Sequence, residues 1–248
     1  MKLYLLGCEV FLRELCFLAA QSPHEVDVRF LPKGLHDLGA CLMRGKLQEA
    51  LAQVPANVYD AVLLGYGLCN NGLHGLEARD CKLVLPRAHD CITLFMGSRE
   101  RYTEYFFANP GTYFLTPGWL ERGESTGELR QMSIEEKSGM NKTYEELAEE
   151  YGEDNAEFLW EQLVDTERHY KKIAYIETGV CNEQPFIDRA KARADERGWE
   201  FERVRGDREL LRRLVDGEWQ GDDFLVVEPG HRIHASPGEA IVKSVPVG

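Results

Sequence analysis

The chain has no closely spaced cysteines. Its seven stand at 8, 16, 41, 69, 81, 91 and 181, which excludes the compact Cys-x-x-Cys knuckle of most structural zinc sites. It has no long apolar run either: Ala61 to Leu64 is typical, far too short to cross a bilayer. A basic excess is also missing. Lys and Arg number 29 against 42 Asp and Glu, for a net charge of −13, which argues against nucleic acid or an anionic membrane as partner. The opening apolar stretch stops at Gly7 and is followed by Glu9, Arg13 and Glu14, so it reads as a first strand rather than an export signal, and a cytoplasmic location is expected. Gly65-x-Gly67 lacks the third glycine and the downstream acid of a dinucleotide fingerprint, which argues against a nicotinamide cofactor.

What remains is a folded chain of 248 residues, 44% hydrophobic and 29% charged, long enough for one large domain or two small ones. Hydrophobic periodicity predicts strand–helix units from the start: strands at 2–6, 26–31, 59–64, 82–86 and 112–116, with a helix over 9–20 and another over 42–54. Tyr59 to Leu64 is apolar throughout, as in a central parallel strand buried on both faces. Asp90 and Ser98 are placed to cap helices, and Pro117-Gly118 reads as a breaker. Residues 121–171 turn polar, and Thr143-Tyr144-Glu145-Glu146 fits a capping box, so a helical hairpin is expected there. Strands at 172–177, 200–204 and 223–227, with helices at 185–197 and 208–215, complete the pattern. The predicted fold is α/β, with mostly parallel sheets, flanking helices, Rossmann-like lobes and an inserted helical hairpin. Its divisions are 1–120, 121–171 and 172–248, the last packing on the first.

Four cysteines fall where a predicted strand runs out: Cys8 in Gly-Cys-Glu, Cys69 in Gly-Tyr-Gly-Leu-Cys-Asn-Asn-Gly, Cys91 in Pro-Arg-Ala-His-Asp-Cys, and Cys181 in Gly-Val-Cys-Asn. Carboxyl ends of strands in an open α/β sheet face one crevice, where ligands bind. An odd cysteine count without an export signal argues against a disulfide framework and for metal or thiol chemistry. Any one of these cysteines alone is better read as a small buried hydrophobe; their shared strand-end position is what points to a site. Neighbouring helix starts, Arg87 and His89 are expected to favour ionised sulfur. Cys16 and Cys41 are read as core residues, and Cys81 is unassigned.

Soft thiolates select zinc, copper(I) or iron–sulfur clusters. Single cysteines from separate strand ends resemble the three-lobed enzymes that hold a [4Fe–4S] cluster in a central crevice, which makes Cys8, Cys69, Cys91 and Cys181 the expected ligands. The alternative is zinc on His89, Cys91 and Cys181, which resembles thiol-activating methyltransferases acting with a corrinoid. A third reading makes the chain a non-enzymatic binding module with packing cysteines. His89 and Arg87 are the candidates for catalytic or supporting roles, and Glu9, Tyr66, Asn70, Arg99 and Trp119 for substrate binding, with Trp119 as an aromatic wall.

Gly7-Cys8-Glu9, Leu31-Pro32-Lys33-Gly34-Leu35-His36-Asp37, Leu64 to Cys69, Pro86 to Cys91, Gly97-Ser98-Arg99 and Pro110 to Trp119 together resemble a prokaryotic family of unknown function. The resemblance covers most of the first 120 residues and, more loosely, Thr178 to Ile233. It implies a setting in anaerobes near corrinoid-dependent methyltransferases, hence one-carbon metabolism, with a corrinoid protein or methyltransferase as partner. A homodimer is also expected.

Overall fold

A computed structural model describes residues 1–122 and 170–248, together with residues 145, 148, 149, 152 and 153. The expected helical hairpin lies mostly outside the described residues.

Five strands form the first sheet: β1 (Lys2–Cys8), β2 (Glu25–Leu31), β3 (Ala61–Gly65), β4 (Lys82–Pro86) and β8 (Phe224–Val227), in the order β2-β1-β3-β4-β8. The first four run parallel, and β8 is antiparallel to β4. Side-chain alternation puts Leu3, Leu5, Leu63 and Val84 on one face. That face is covered by α1 (Leu12–Ala19) and α7 (Glu209–Val215). Leu6, Val62, Leu64 and Leu85 go to the other face, under α2 (Ala40–Ala52). All five residues of β3 are buried, which explains its unbroken apolar sequence.

A second, parallel sheet runs β5 (Thr112–Leu115), β6 (Lys172–Glu177) and β7 (Glu200–Arg205), in that order. One face packs Ile173 and Tyr175 against α6 (Gln184–Arg197). The other sends Ala174, Ile176 and Val204 into the same core as Leu3, Leu5 and Leu15. Between the sheets in sequence lie α3 (Cys91–Met96), α4 (Arg99–Ala108) and, after β5, α5 (Pro117–Arg122). The mostly parallel α/β expectation holds. The chain crosses between the sheets, however: β5 already belongs to the second sheet, and β8 returns to the first.

Several local expectations need correction. The first helix opens as a short 3-10 turn, Glu9–Phe11, before α1. Pro117-Gly118 begins α5 instead of breaking the chain. Proline suits the first turn of a helix, and Thr116 Oγ1 accepts the Trp119 N–H at 3.3 Å. Cys16 and Cys41 are exposed, because α1 buries Glu14, Leu15 and Leu18 and α2 turns Met43, Leu47 and Leu51 inward. The hairpin of β9 (His231–Ala235) and β10 (Val242–Pro246) was not expected; its mixed composition carries little alternation.

A glycine fixes how α5 meets the end of β1. A Cβ on Gly118 would stand 1.8 Å from the Val10 carbonyl oxygen, so α5 lies directly on the 3-10 turn that follows Cys8. Alanine gains a little helix propensity there, but the clash is with backbone that cannot yield cheaply. Gly118→Ala is expected to destabilise the fold by about 2 kcal/mol, read as a thermal midpoint several degrees lower. An unchanged or higher midpoint would show that α5 is not seated as described.

Candidate functional site

The strand order makes a crevice. After β1 the chain moves to β2 on one side; after β3 it moves to β4 on the other, so the topology switches between β1 and β3. Three of the four strand-end cysteines come from these neighbouring strands. Cys8 ends β1, Cys69 lies four residues beyond the end of β3 at Gly65, and Cys91 opens the helix that follows β4.

The loops after β3 and β4 are tied together. Leu68 N–H donates to the Ala88 carbonyl at 2.8 Å, and Cys69 N–H to the His89 carbonyl at 2.9 Å. Gly67 permits this approach, since a Cβ there would meet the Asp90 backbone at 2.7 Å. Asp90 accepts from Thr93 N–H at 3.0 Å and from the Tyr102 hydroxyl at 3.2 Å, which caps α3 as expected. Cys69, Asn70 and Asn71 follow one another with φ of 39°, 51° and 62°. Asparagine tolerates this region; cysteine does so at a cost of roughly 1–3 kcal/mol.

A cavity of about 290 Å³ opens here. Cys8, Cys69 and Cys91 line it, with Tyr66, Asn70 and Trp119. His89 stands exposed at its edge, and Phe11, Lys33, Leu35 and Met43 complete much of the wall. Burial is the main influence on all three thiols. It pushes Cys8 and Cys69 up to about 12, and Cys91 well above the ordinary 9.0. Negative charge on one sulfur opposes ionisation of the others: Cys8 acts on Cys69, and both act on Cys91. The expectation of ionised sulfur is therefore corrected. Without a bound cation these are protonated thiols.

N–H donors work in the opposite sense at each sulfur. The Val10 backbone favours the anion at Cys8, and the backbones of Gly67 and Cys91 do so at Cys69. At Cys91 the neighbouring Trp119 indole acts in the same sense. Trp119 was expected as an aromatic wall, and its ring lines the cavity. Its ring also lies 4.5 Å from the Lys33 ammonium. Glu9 sits one residue beyond Cys8, and its carboxylate accepts the Lys33 backbone N–H at 2.8 Å. Because Cys8 pairs with Leu31 across β1 and β2, Lys33 is delivered to the same crevice. Lys33 went unnoticed as a site residue, although its place just past a strand was a usable signal.

Other expected residues lie elsewhere. The Arg87 guanidinium donates to the carbonyls of Phe224, Ala240 and Val242, so it staples the C-terminal segment to the end of β4. Arg99 lies 4.0 Å from Asp223, and neither arginine lines the cavity. Cys181 follows β6 in the second sheet and is also absent from the cavity wall. Its charged surroundings are Arg13, Glu183, Glu14 and Glu121. There Arg13 makes a bidentate pair with Glu121 at 2.8 and 2.7 Å, and Glu183 accepts from Tyr175 and the Thr178 backbone, each at 3.0 Å. Glu14 is 1% exposed, and burial raises its pKa. The zinc trio of His89, Cys91 and Cys181 is thus divided between two places.

Among the described residues, no group of three or more His, Cys, Asp or Glu side chains is arranged as around a bound metal ion. Nor is any helix among them long and apolar enough to cross a membrane. Searches of curated proteins and of solved structures found no match. A family model does match, over residues 30–215, a span that holds Cys69, Cys91, Trp119 and Cys181. The chain belongs to the family described as "Protein of unknown function (DUF1638)".

Proposed function

We propose that the crevice holds a thiolate-ligated metal centre, a [4Fe–4S] cluster bound by Cys8, Cys69 and Cys91. The observation that carries this reading is the convergence of three sulfurs on one cavity, with backbone N–H donors at Cys8 and Cys69 and the Trp119 indole beside Cys91. Hydrogen bonds to sulfur are a recognised means of tuning and steadying bound thiolates. Three like charges in a buried space repel one another, and a bound cationic centre offsets that repulsion. A volume near 290 Å³ is about ten waters' worth, generous for one ion and suited to a polynuclear centre with a small ligand beside it. The strained backbone at Cys69 supports the same reading, since such strain collects at working sites.

With Cys8, Cys69 and Cys91 holding it, such a cluster would supply Lewis-acid chemistry toward a substrate in the cavity. In this chain the Trp119 indole would favour the Cys91 thiolate from beside it, and the Asp90 cap would fix the start of α3. The link to corrinoid-dependent methyl transfer rests on the family resemblance. Cys181, in its separate polar cluster, is left out of this ligand set.

Anaerobic purification with iron and acid-labile sulfide analysis tests the reading. The expected protein is brown, with broad visible absorbance that bleaches on reduction. Cys69→Ser should lose most of the metal, while Cys181→Ser and the exposed Cys16→Ser keep it. Colourless protein with stoichiometric zinc, or equal metal in all three variants, would contradict the assignment.

The buried thiols also set a pH dependence for the metal-free protein. The folded chain holds the Cys8 and Cys69 protons up to about 12, while an unfolded chain releases them near the ordinary 9.0. Below 9.0 both states are protonated and the contribution to stability is complete. As pH rises from there toward 12, the unfolded state loses protons first, so stability falls. Chemical denaturation at about pH 8 and about pH 11 should show wild-type protein losing more stability than Cys69→Ala. Equal losses would mean that Cys69 is not held as a buried thiol.

A further inference from the structure

The clearest sign of an occupant in the cavity is Tyr66. The residue follows β3 directly and is 3% exposed, yet its hydroxyl has no hydrogen-bond partner among the described residues. A buried hydroxyl in that condition costs stability, so a native fold retains one where something else completes it. Tyr66 lines the cavity. Burial keeps its hydroxyl protonated, and Cys8, Cys69 and Glu9 act in the same sense, which places a hydrogen-bond donor beside the sulfurs. Much of the surrounding wall is apolar: Val10, Phe11, Leu35, Met43 and the Trp119 ring. The Lys33 and Asp90 charges on that wall are engaged within the protein. Lys33 has partners of its own, the Trp119 ring among them. Asp90, the one carboxylate on the described wall, accepts from the Thr93 N–H and the Tyr102 hydroxyl.

We infer that this cavity binds a small uncharged ketone, its carbonyl oxygen accepting a hydrogen bond from the Tyr66 hydroxyl and its carbon body lying against the apolar wall. The choice follows from what the wall offers, a donor set in apolar surface. A ketone brings an acceptor and no donor of its own. An alcohol would also bring an O–H, which needs an acceptor in a buried space where Asp90 is already committed. An anion would stand beside the sulfurs and Glu9, the same groups that oppose negative charge at this hydroxyl. An organic cation would meet a carboxylate whose hydrogen bonds are already made. The inference rests on the reading of this cavity as the working site, and it adds the class of ligand held beside the thiols.

Titration calorimetry on anaerobically prepared protein tests it, with acetone and cyclopentanone as probes and propan-2-ol, acetate and tetramethylammonium as comparisons, metal content being measured on the same samples. At least one of the two ketones should bind, and more tightly than any comparison. Tyr66→Phe should weaken that binding by at least roughly threefold, as for loss of one neutral hydrogen bond. Infrared spectroscopy gives a second readout: the carbonyl stretch of the bound ketone should lie at lower frequency in wild-type protein than in Tyr66→Phe. The thermal midpoint of the variant should be equal or higher, because the substitution removes a buried hydroxyl without a protein partner. No binding by either ketone, tighter binding of a comparison, full affinity in Tyr66→Phe, or a carbonyl band that the substitution does not move would each overturn the inference. A lower midpoint in Tyr66→Phe would show the hydroxyl to be structural and would overturn it equally. Metal-free wild-type protein that binds a ketone through Tyr66 would remove the cluster and leave this subsite standing. Iron-loaded protein that binds neither ketone would remove the subsite and leave the cluster.

Discussion

The crevice depends on how closely the loops after β3 and β4 approach. Two backbone hydrogen bonds join them, from Leu68 to Ala88 and from Cys69 to His89, and Gly67 has no side chain to hold them apart. That contact sets Cys69 beside Cys91 and lets the Cys91 N–H act on the Cys69 sulfur. Cys8 joins them because β1 lies between β2 and β3, at the point where the sheet order reverses. The same register brings Lys33 in from the end of β2. Cys8, Lys33, Cys69 and Cys91 stand well apart in sequence; the parallel sheet is what assembles them.

Electrostatics then define what the crevice can hold. Three buried thiols keep their protons in the absence of a cation, and Cys69 and Cys91 resist ionisation more because of the neighbouring sulfurs. The N–H donors at the sulfurs act in the opposite direction, which is an arrangement suited to thiolates with positive charge among them. Tyr66 and Lys33 add a polar edge to an otherwise apolar wall.

Much of this was legible in the sequence, for physical reasons. Buried parallel strands are apolar along their whole length, so β3 and β4 stood out and the cysteines just beyond them could be placed at strand ends. Asp90 and Ser98 were readable as caps because a short oxygen-bearing side chain before a helix has one favoured use. Cys181 shows where such reading stops: its strand end looks like the others, but β6 pairs with β5 and β7, and pairing is not written locally. Arg87 misled because adjacency to Cys91 in sequence suggested adjacency in space, whereas its side chain reaches the β8–β10 region. That the buried Tyr66 hydroxyl has no hydrogen-bond partner among the described residues could not be read at all without its surroundings.

X-ray absorption at the iron edge of anaerobically purified protein tests the central claim most directly. The account predicts a first coordination shell dominated by sulfur with a short iron–iron distance, and loss of that signal in Cys8→Ser, Cys69→Ser and Cys91→Ser. Iron absent above background, or iron bound only by nitrogen and oxygen, would contradict it.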